Sequence, residues 1–268
     1  PTIIEILNKF DFEIYYFDIN RNFEIVFDND QNHKFDLIVI THPFGFYLDY
    51  KKLNNIVENN TKIIFDSSHS QGIEIENKNH MNFADISFMS MQGNKSISGG
   101  EGGAIFTDNE NFYLNMINNH HPGHNRNKKL KIAGGINDLK LRIHPLAALI
   151  ANNDLKTFDK RDKALIEKIK KIYSFLDDLK INHPLNENSR IGGFHFGIPF
   201  FDKRKIVSSI IKKYNWYEKL ETLNLKPIFL KRDESFFEEL YFLDLEWIKD
   251  NKISFIENKL KKIFKNVD

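Results

Sequence analysis

Residues 62–103 read KIIFDSSHSQGIEIENKNHMNFADISFMSMQGNKSISGGEGG. The apolar run Ile63–Phe65 ends on one carboxylate, Asp66. Such a short run of β-branched and aromatic residues suits a strand covered on both faces. Asp66 therefore falls where a strand gives way to a loop. Ile86–Ser90 is a second run of strand character, followed by the polar segment Ser90–Asn94 and then Lys95. Behind the lysine come Gly99, Gly100, Gly102 and Gly103, residues that permit tight turns and close backbone approach. Taken singly, the lysine reads as a surface residue and the aspartate as a loop cap. Their register with the glycine run is what marks a site.

Outward from this stretch, strand and helix patterns alternate. Ile3–Phe10 reads as a helix end, Glu13–Asp18 as an aromatic strand, and Leu37–Thr41 (LIVIT) as a covered strand. Tyr50–Asn59 reads as a helix, and Gly103–Thr107 (GAIFT) as a further strand. Strands that alternate with helices predict a mainly parallel sheet with right-handed crossovers. Ligands of such sheets bind beyond the carboxyl ends of the strands, where Asp66 is expected. The pattern then predicts a helix over Pro145–Leu179, broken near Thr157–Asp159, and a strand at Phe194–Pro199. Two more helices are expected, at Lys203–Lys213 and Leu245–Phe264. Residues 1–159 read as a large α/β domain and residues 160–268 as a smaller α+β C-terminal domain.

The 268 residues carry 38 Lys+Arg against 37 Asp+Glu, so charge gives no reason to expect nucleic acid or an acidic membrane as partner. Cysteine is absent, which excludes disulfides and thiolate metal sites and agrees with a cytoplasmic setting. No run approaches the length of a membrane span. The three histidines His120, His121 and His124 lack an acidic partner or a helical i, i+4 spacing, so no metal is expected.

One lysine able to form a Schiff base and one aspartate able to pair with a pyridinium nitrogen are the groups that pyridoxal phosphate asks of a protein. The wording around them resembles the DegT/DnrJ/StrS family of nucleotide-sugar aminotransferases. In that family the Asp follows a core strand, and the lysine sits in a Ser-x-x-x-x-Lys segment followed by Gly-Glu-Gly-Gly. THPFG (Thr41–Gly45) is similar to the family's Val-His-x-x-Gly. NNHHPGHNR (Asn118–Arg126) stands where an Arg-x-His-Gly segment is usual. LKLRIHPLAALIANNDLKTFDKRDK (Leu139–Lys163) resembles the family's Lys-Tyr-Arg-Met-His-Pro-Leu-Ala-Ala helix.

The resemblance implies an aspartate-aminotransferase-like, fold-type-I, pyridoxal-phosphate-dependent transferase. Lys95 is then the Schiff-base lysine and proton shuttle, Asp66 the pyridinium partner and Ser90 a phosphate ligand. His69 lies near the ring, Gln92 and Asn94 flank the lysine, and Arg142 reaches a phosphate across a homodimer interface. The implied reaction converts a nucleotide-linked keto-sugar to an amino-sugar for a cell-surface polysaccharide, with glutamate as donor. Relatives with His in place of the lysine are dehydratases, so Lys95 favours transamination. The chain begins dozens of residues into the family pattern, so the sheet is expected to be incomplete at the N-terminus. The family's Ser-Gly-Thr-Ala phosphate-binding segment and its ring-stacking aromatic residue lie before that point. Two other readings stay open: a non-catalytic or partner-complemented relative, and another fold-type-I enzyme such as a lyase or dehydratase.

Overall fold

The computed structural model describes residues 2–10, 12–26, 34–120, 141–213, 226–227 and 235–265. The apolar runs become strands where they were expected. These are β4 (Leu37–Thr41), β5 (Lys62–Asp66), β8 (Ile86–Ser90) and β9 (Gly103–Phe106). They form one sheet in the order β4-β5-β8-β9, with β4, β5 and β8 parallel and β9 antiparallel at its edge. The register sets Thr41 and Phe88 on either side of Asp66, so three strand ends converge there.

Before this sheet lie helix α1 (Thr2–Asn8) and three two-residue strands: β1 (Tyr15–Tyr16), β2 (Asp18–Ile19) and β3 (Ile25–Val26). The strand expected over Glu13–Asp18 is thus two short pieces. The helix expected over Tyr50–Asn59 is only a 3₁₀ turn, Tyr50–Leu53, started by the Asp49 side chain accepting from Lys51 N–H. The asparagines that follow compete for backbone hydrogen bonds and do not sustain a helix. The hairpin β6 (Glu74–Ile75) and β7 (Lys78–Asn79) leads into β8.

Helix α2 covers Glu110–His120 and α3 covers Pro145–Asp178. His144 caps α3 by accepting from Leu146 N–H, and Pro145 at its first position fits a helix start. At the other end Lys180 takes a positive φ of 59°, and Ile181 N–H returns to the Leu176 carbonyl at 2.9 Å, a Schellman closure. No break occurs at Thr157–Asp159. The helix instead changes neighbours there: Ala151 and Phe158 pack with Met89, Met91 and Ile97, whereas Ile169, Ile172 and Leu176 enter the main core. That switch imitated a break in the apolar pattern. The helix also runs without interruption across residues 159 and 160.

A second, antiparallel sheet has the order β10 (Ile198–Phe201), β13 (Leu240–Leu243), β11 (Ile211–Lys212). The expected strand Phe194–Pro199 therefore starts late, and residues 194–197 form a loop. The helix expected over Lys203–Lys213 does not form. Ser208 turns the chain by taking the N–H groups of Ile210 and Ile211, and Ile211 pairs with Leu243. Its buried Ile206 and Ile210 mimic a helical spacing. β12 (Lys226–Pro227) pairs with β1.

The chain closes with α4 (Ser235–Glu239), α5 (Leu245–Asp250) and α6 (Ile253–Lys265). The single helix expected over Leu245–Phe264 is split at Asn251, whose backbone is extended. One core joins Ile38, Ile40, Ile63 and Phe65 of the first sheet to Ile172 of α3, Phe200 and Phe242 of the second sheet, and Leu260 of α6. Each such side chain contributes about 1.5–3 kcal/mol by leaving water. Among the described residues, no helix is long and apolar enough to cross a membrane.

Candidate active site

Asp66 ends β5 almost fully buried, with Oδ1 accepting from Ser68 N–H at 3.0 Å. Ser68 in turn accepts the Ser90 N–H on its hydroxyl at 3.2 Å, which ties the end of β5 to the end of β8. Ser90 accepts from Gln92 N–H through its own hydroxyl, at 3.3 Å.

The lysine loop is held on three sides. Buried Gln71 donates to the Ser90 carbonyl at 2.6 Å and accepts from Ile97 N–H at 2.7 Å. Ser98 N–H donates to Asp154 of α3 at 2.9 Å, and the Ser96 hydroxyl donates to the Phe194 carbonyl at 3.0 Å. The glycines close the loop. A Cβ on Gly99 would sit 2.6 Å from the Ala147 carbonyl oxygen, so only glycine lets α3 come this near. Gly102 has a φ of +117°, which side chains rarely adopt.

Within this frame Lys95 is half-buried, and its Nζ lies 3.0 Å from His195 Nε2. Burial pulls the amine's pKa below the ordinary lysine value, while the Asp66 carboxylate pulls it part of the way back. His195 is pushed down to about 3, chiefly by burial and then by His69 and Lys95, so it stays neutral. Its Nδ1–H donates to the Gly193 carbonyl at a long 3.4 Å, which leaves Nε2 to accept from the lysine. His69 is held down at about 4 by burial and by Lys95. Its ring meets His195 edge-on at 4.6 Å and stacks on Phe196 at 6.1 Å.

Lys95 and Arg161 border two clefts. One, of about 710 Å³, is lined by Gly93, Ser98, Asn152, Asn153 and Lys156. The other, of about 440 Å³, is lined by Asn94, Phe158, Asp162, Lys168 and His195. The structure thus gathers Asp66, His69 and Lys95 into one electrostatic group beside Ser90. Asn94 lies exposed at the edge of the smaller cleft, and Gln92 is exposed and lines neither cleft. Arg142 is exposed in the segment before α3 and lines neither cleft. His121 and His124, and the side chain of His120, lie outside the described residues.

Sequence reading missed His195 and Gln71. His195 stands a hundred residues from Lys95, inside a segment taken for a strand. The available signal was polar residues breaking an aromatic run directly after Gly192 and Gly193.

The structure thus sets a lysine on a glycine-closed loop, within electrostatic reach of an aspartate at a parallel strand end. Residues 31–211 fit the model of the DegT/DnrJ/EryC1/StrS aminotransferase family. The chain belongs to this family. Similar solved structures include a DegT DnrJ EryC1 StrS aminotransferase from Brucella abortus. It has 18% identity and a TM-score of 0.63, over 82% of this chain and 63% of that one. An aminotransferase from Psychrobacter cryohalolentis has 14% identity and a TM-score of 0.63, over 89% and 71%. The E. coli GDP-4-keto-6-deoxy-D-mannose-3-dehydratase with bound hydrated PLP has 16% identity and a TM-score of 0.62, over 87% and 67%. At these identities the likeness is one of fold, and the chain spans about two thirds of each structure's length. Comparison with curated proteins gives no match.

The fold is that of the fold-type-I pyridoxal-phosphate enzymes, and pyridoxal phosphate is the cofactor that the family and these structures indicate. The side chains present fit it. A desolvated primary amine, a buried carboxylate within electrostatic reach and a hydroxyl at the next strand end are the donor types that an aldehyde, a pyridine nitrogen and a phosphate require.

Proposed function

We infer that this chain carries the catalytic lysine of a pyridoxal-phosphate aminotransferase that converts a nucleotide-linked keto-sugar to an amino-sugar. The observation that carries the reading is Lys95: its amine is desolvated, held on a fixed loop and coupled to Asp66. Bound pyridoxal phosphate supplies an electron sink at the substrate carbon. Asp66 would keep a proton on the ring nitrogen, and the Ser90 hydroxyl would donate to the phosphate. Burial makes the neutral form of Lys95 accessible, which is the form that can take a proton from one carbon and return it to another. His69 would flank the ring as an uncharged imidazole, adding no positive charge beside it.

Glutamate is the donor on this reading, and the product serves a cell-surface polysaccharide. Residues 1–159 form the cofactor-binding portion and residues 160–268 a smaller portion. On this reading the protein is a cytoplasmic homodimer with shared sites, and the exposed apolar side chains Leu146, Leu149, Ile150 and Leu155 of α3 support an interface there. In such a dimer Arg142 would serve the partner's site. A dehydratase reading draws on the E. coli structure, but the amine at position 95 favours transamination.

The test is to add pyridoxal phosphate to the purified chain, record the visible spectrum, reduce with borohydride and map the labelled peptide. Label on Lys95, followed by amination of nucleotide keto-sugars with glutamate, is the expected result. Label elsewhere, or none, rejects the reading.

A further inference from the structure

The functional reading leaves unused a buried acid in the wall of a cleft that Lys95 borders. Asp162 lies on the inner face of α3, 8% exposed, in the wall of the smaller cleft. Its Oδ1 accepts the Gly193 N–H at 3.0 Å. The same peptide segment carries the Gly193 carbonyl that takes His195 Nδ1–H, and His195 Nε2 faces Lys95 Nζ at 3.0 Å. Gly193 has little freedom to move. Its φ is +65°, and a Cβ there would lie 2.3 Å from Gln71 N, within the residue that also staples Ile97 in the lysine loop. The carboxylate, the glycine peptide, the imidazole and the amine therefore form one continuous chain of contacts between α3 and Lys95.

We propose that Asp162 and His195 are positioning residues for Lys95: the acid fixes the Gly193 peptide, the peptide fixes the imidazole tautomer, and the imidazole fixes the amine. The idea rests on the reading of Lys95 as the lysine that meets the cofactor. Its reason is geometric. A lysine side chain has four rotatable bonds, and aiming it once in the folded protein avoids ordering it during reaction. A neutral Nε2 suits this task because it accepts from the amine without adding a like charge. The other charged or titratable groups facing this chain are Asp66 and His69 beside Lys95, Lys249 beside His195, and Asp159 and Arg161 beside Asp162.

The test needs no cofactor. Reductive methylation of Lys95 is followed against pH by peptide mass spectrometry in the wild type, His195→Phe, Asp162→Ala and Asp162→Asn. Loss of the imidazole acceptor removes support for the ammonium, so the labelling midpoint in His195→Phe is expected about one unit lower, a tenfold change in the neutral fraction at fixed pH. Asp162→Ala should move it in the same direction by less. Asp162→Asn keeps the accepting oxygen and should leave it in place. An unmoved midpoint in His195→Phe, or Asp162→Asn behaving like Asp162→Ala, overturns the proposal. Should Asp162→Ala fail to fold, the ¹⁵N shifts of His195 decide. Nδ1–H in the wild type and in Asp162→Asn supports the relay, and Nε2–H rejects it. Pyridoxal phosphate labelling that misses Lys95 would reject the functional reading alone and leave these midpoints interpretable.

Discussion

Asp154 of α3 and Ser98 of the lysine loop are joined side chain to main chain, with Ser98 N–H donating to Oδ2 at 2.9 Å. The other carboxylate oxygen takes Arg161 Nη2 at 2.6 Å. One acid thus anchors the loop and orders an arginine that borders both clefts. Asp154→Ala should cost about 1–3 kcal/mol by leaving the Ser98 donor unmade. It should also slow incorporation of pyridoxal phosphate at Lys95. Urea midpoints and the rate of growth of the visible band measure the two effects; an Asp154→Ala protein equal to wild type in both removes the anchor role.

Lys95→Ala keeps the fold, because the side chain is half-buried and sits beside open clefts. Turnover is expected to fall at least about a hundredfold, the scale of a lost proton-transfer group. Turnover assays with circular dichroism on the same sample check it, and near-normal turnover assigns the chemistry elsewhere.

Gly99→Ala pushes a methyl group against the Ala147 carbonyl, 2.6 Å from an ideal Cβ. The nearest atoms are the Ala147 backbone and the Ala151 Cβ, which have little room to relax, so a loss of about 1–3 kcal/mol is expected. Gly100→Ala is a useful comparison: its Cβ meets nothing within 4 Å, although its φ of +84° still strains the chain. Thermal melts should rank Gly99→Ala as the less stable if close approach is the reason for that glycine.

Stability should fall as pH drops from about 6.5 toward 4. His42 lies well below its ordinary value, His69 and His80 are at about 4, and His195 is at about 3, in each case mainly through burial. Below pH 6.5 the unfolded chain binds protons at these sites that the folded chain refuses, so acid favours unfolding. Asp162 works the other way. Burial raises it to about 6, so the folded form takes a proton more readily than the unfolded form as pH falls. Four histidines against one carboxyl set the net sign. Denaturant midpoints from pH 7.5 to 4.5 should decline; a flat or rising series contradicts the assignment.

The strands of the first sheet were legible because LIVIT, KIIFD and ISFMS are local statements: β-branched and aromatic residues suit a covered pleat wherever it forms. Asp66 and Lys95 were legible through their register with those runs and with the glycines. The stretch Lys203–Lys213 misled because Ile206 and Ile210 enter the main core from the turn that leads into β11, not from a helical face. Asn251 divided an apolar period that otherwise reads as one helix.

The sequence alone determined the parallel strands, the acid at a strand end and the lysine before its glycine turn, since each depends on neighbours within a few residues. Only the tertiary structure decided which groups meet the lysine. His195 reaches it directly and Asp162 through Gly193, because α3 runs unbroken past residue 160 and Gly193 packs onto Gln71. Contacts between segments a hundred residues apart are set by how the core closes, and that closure is a property of the whole packed chain.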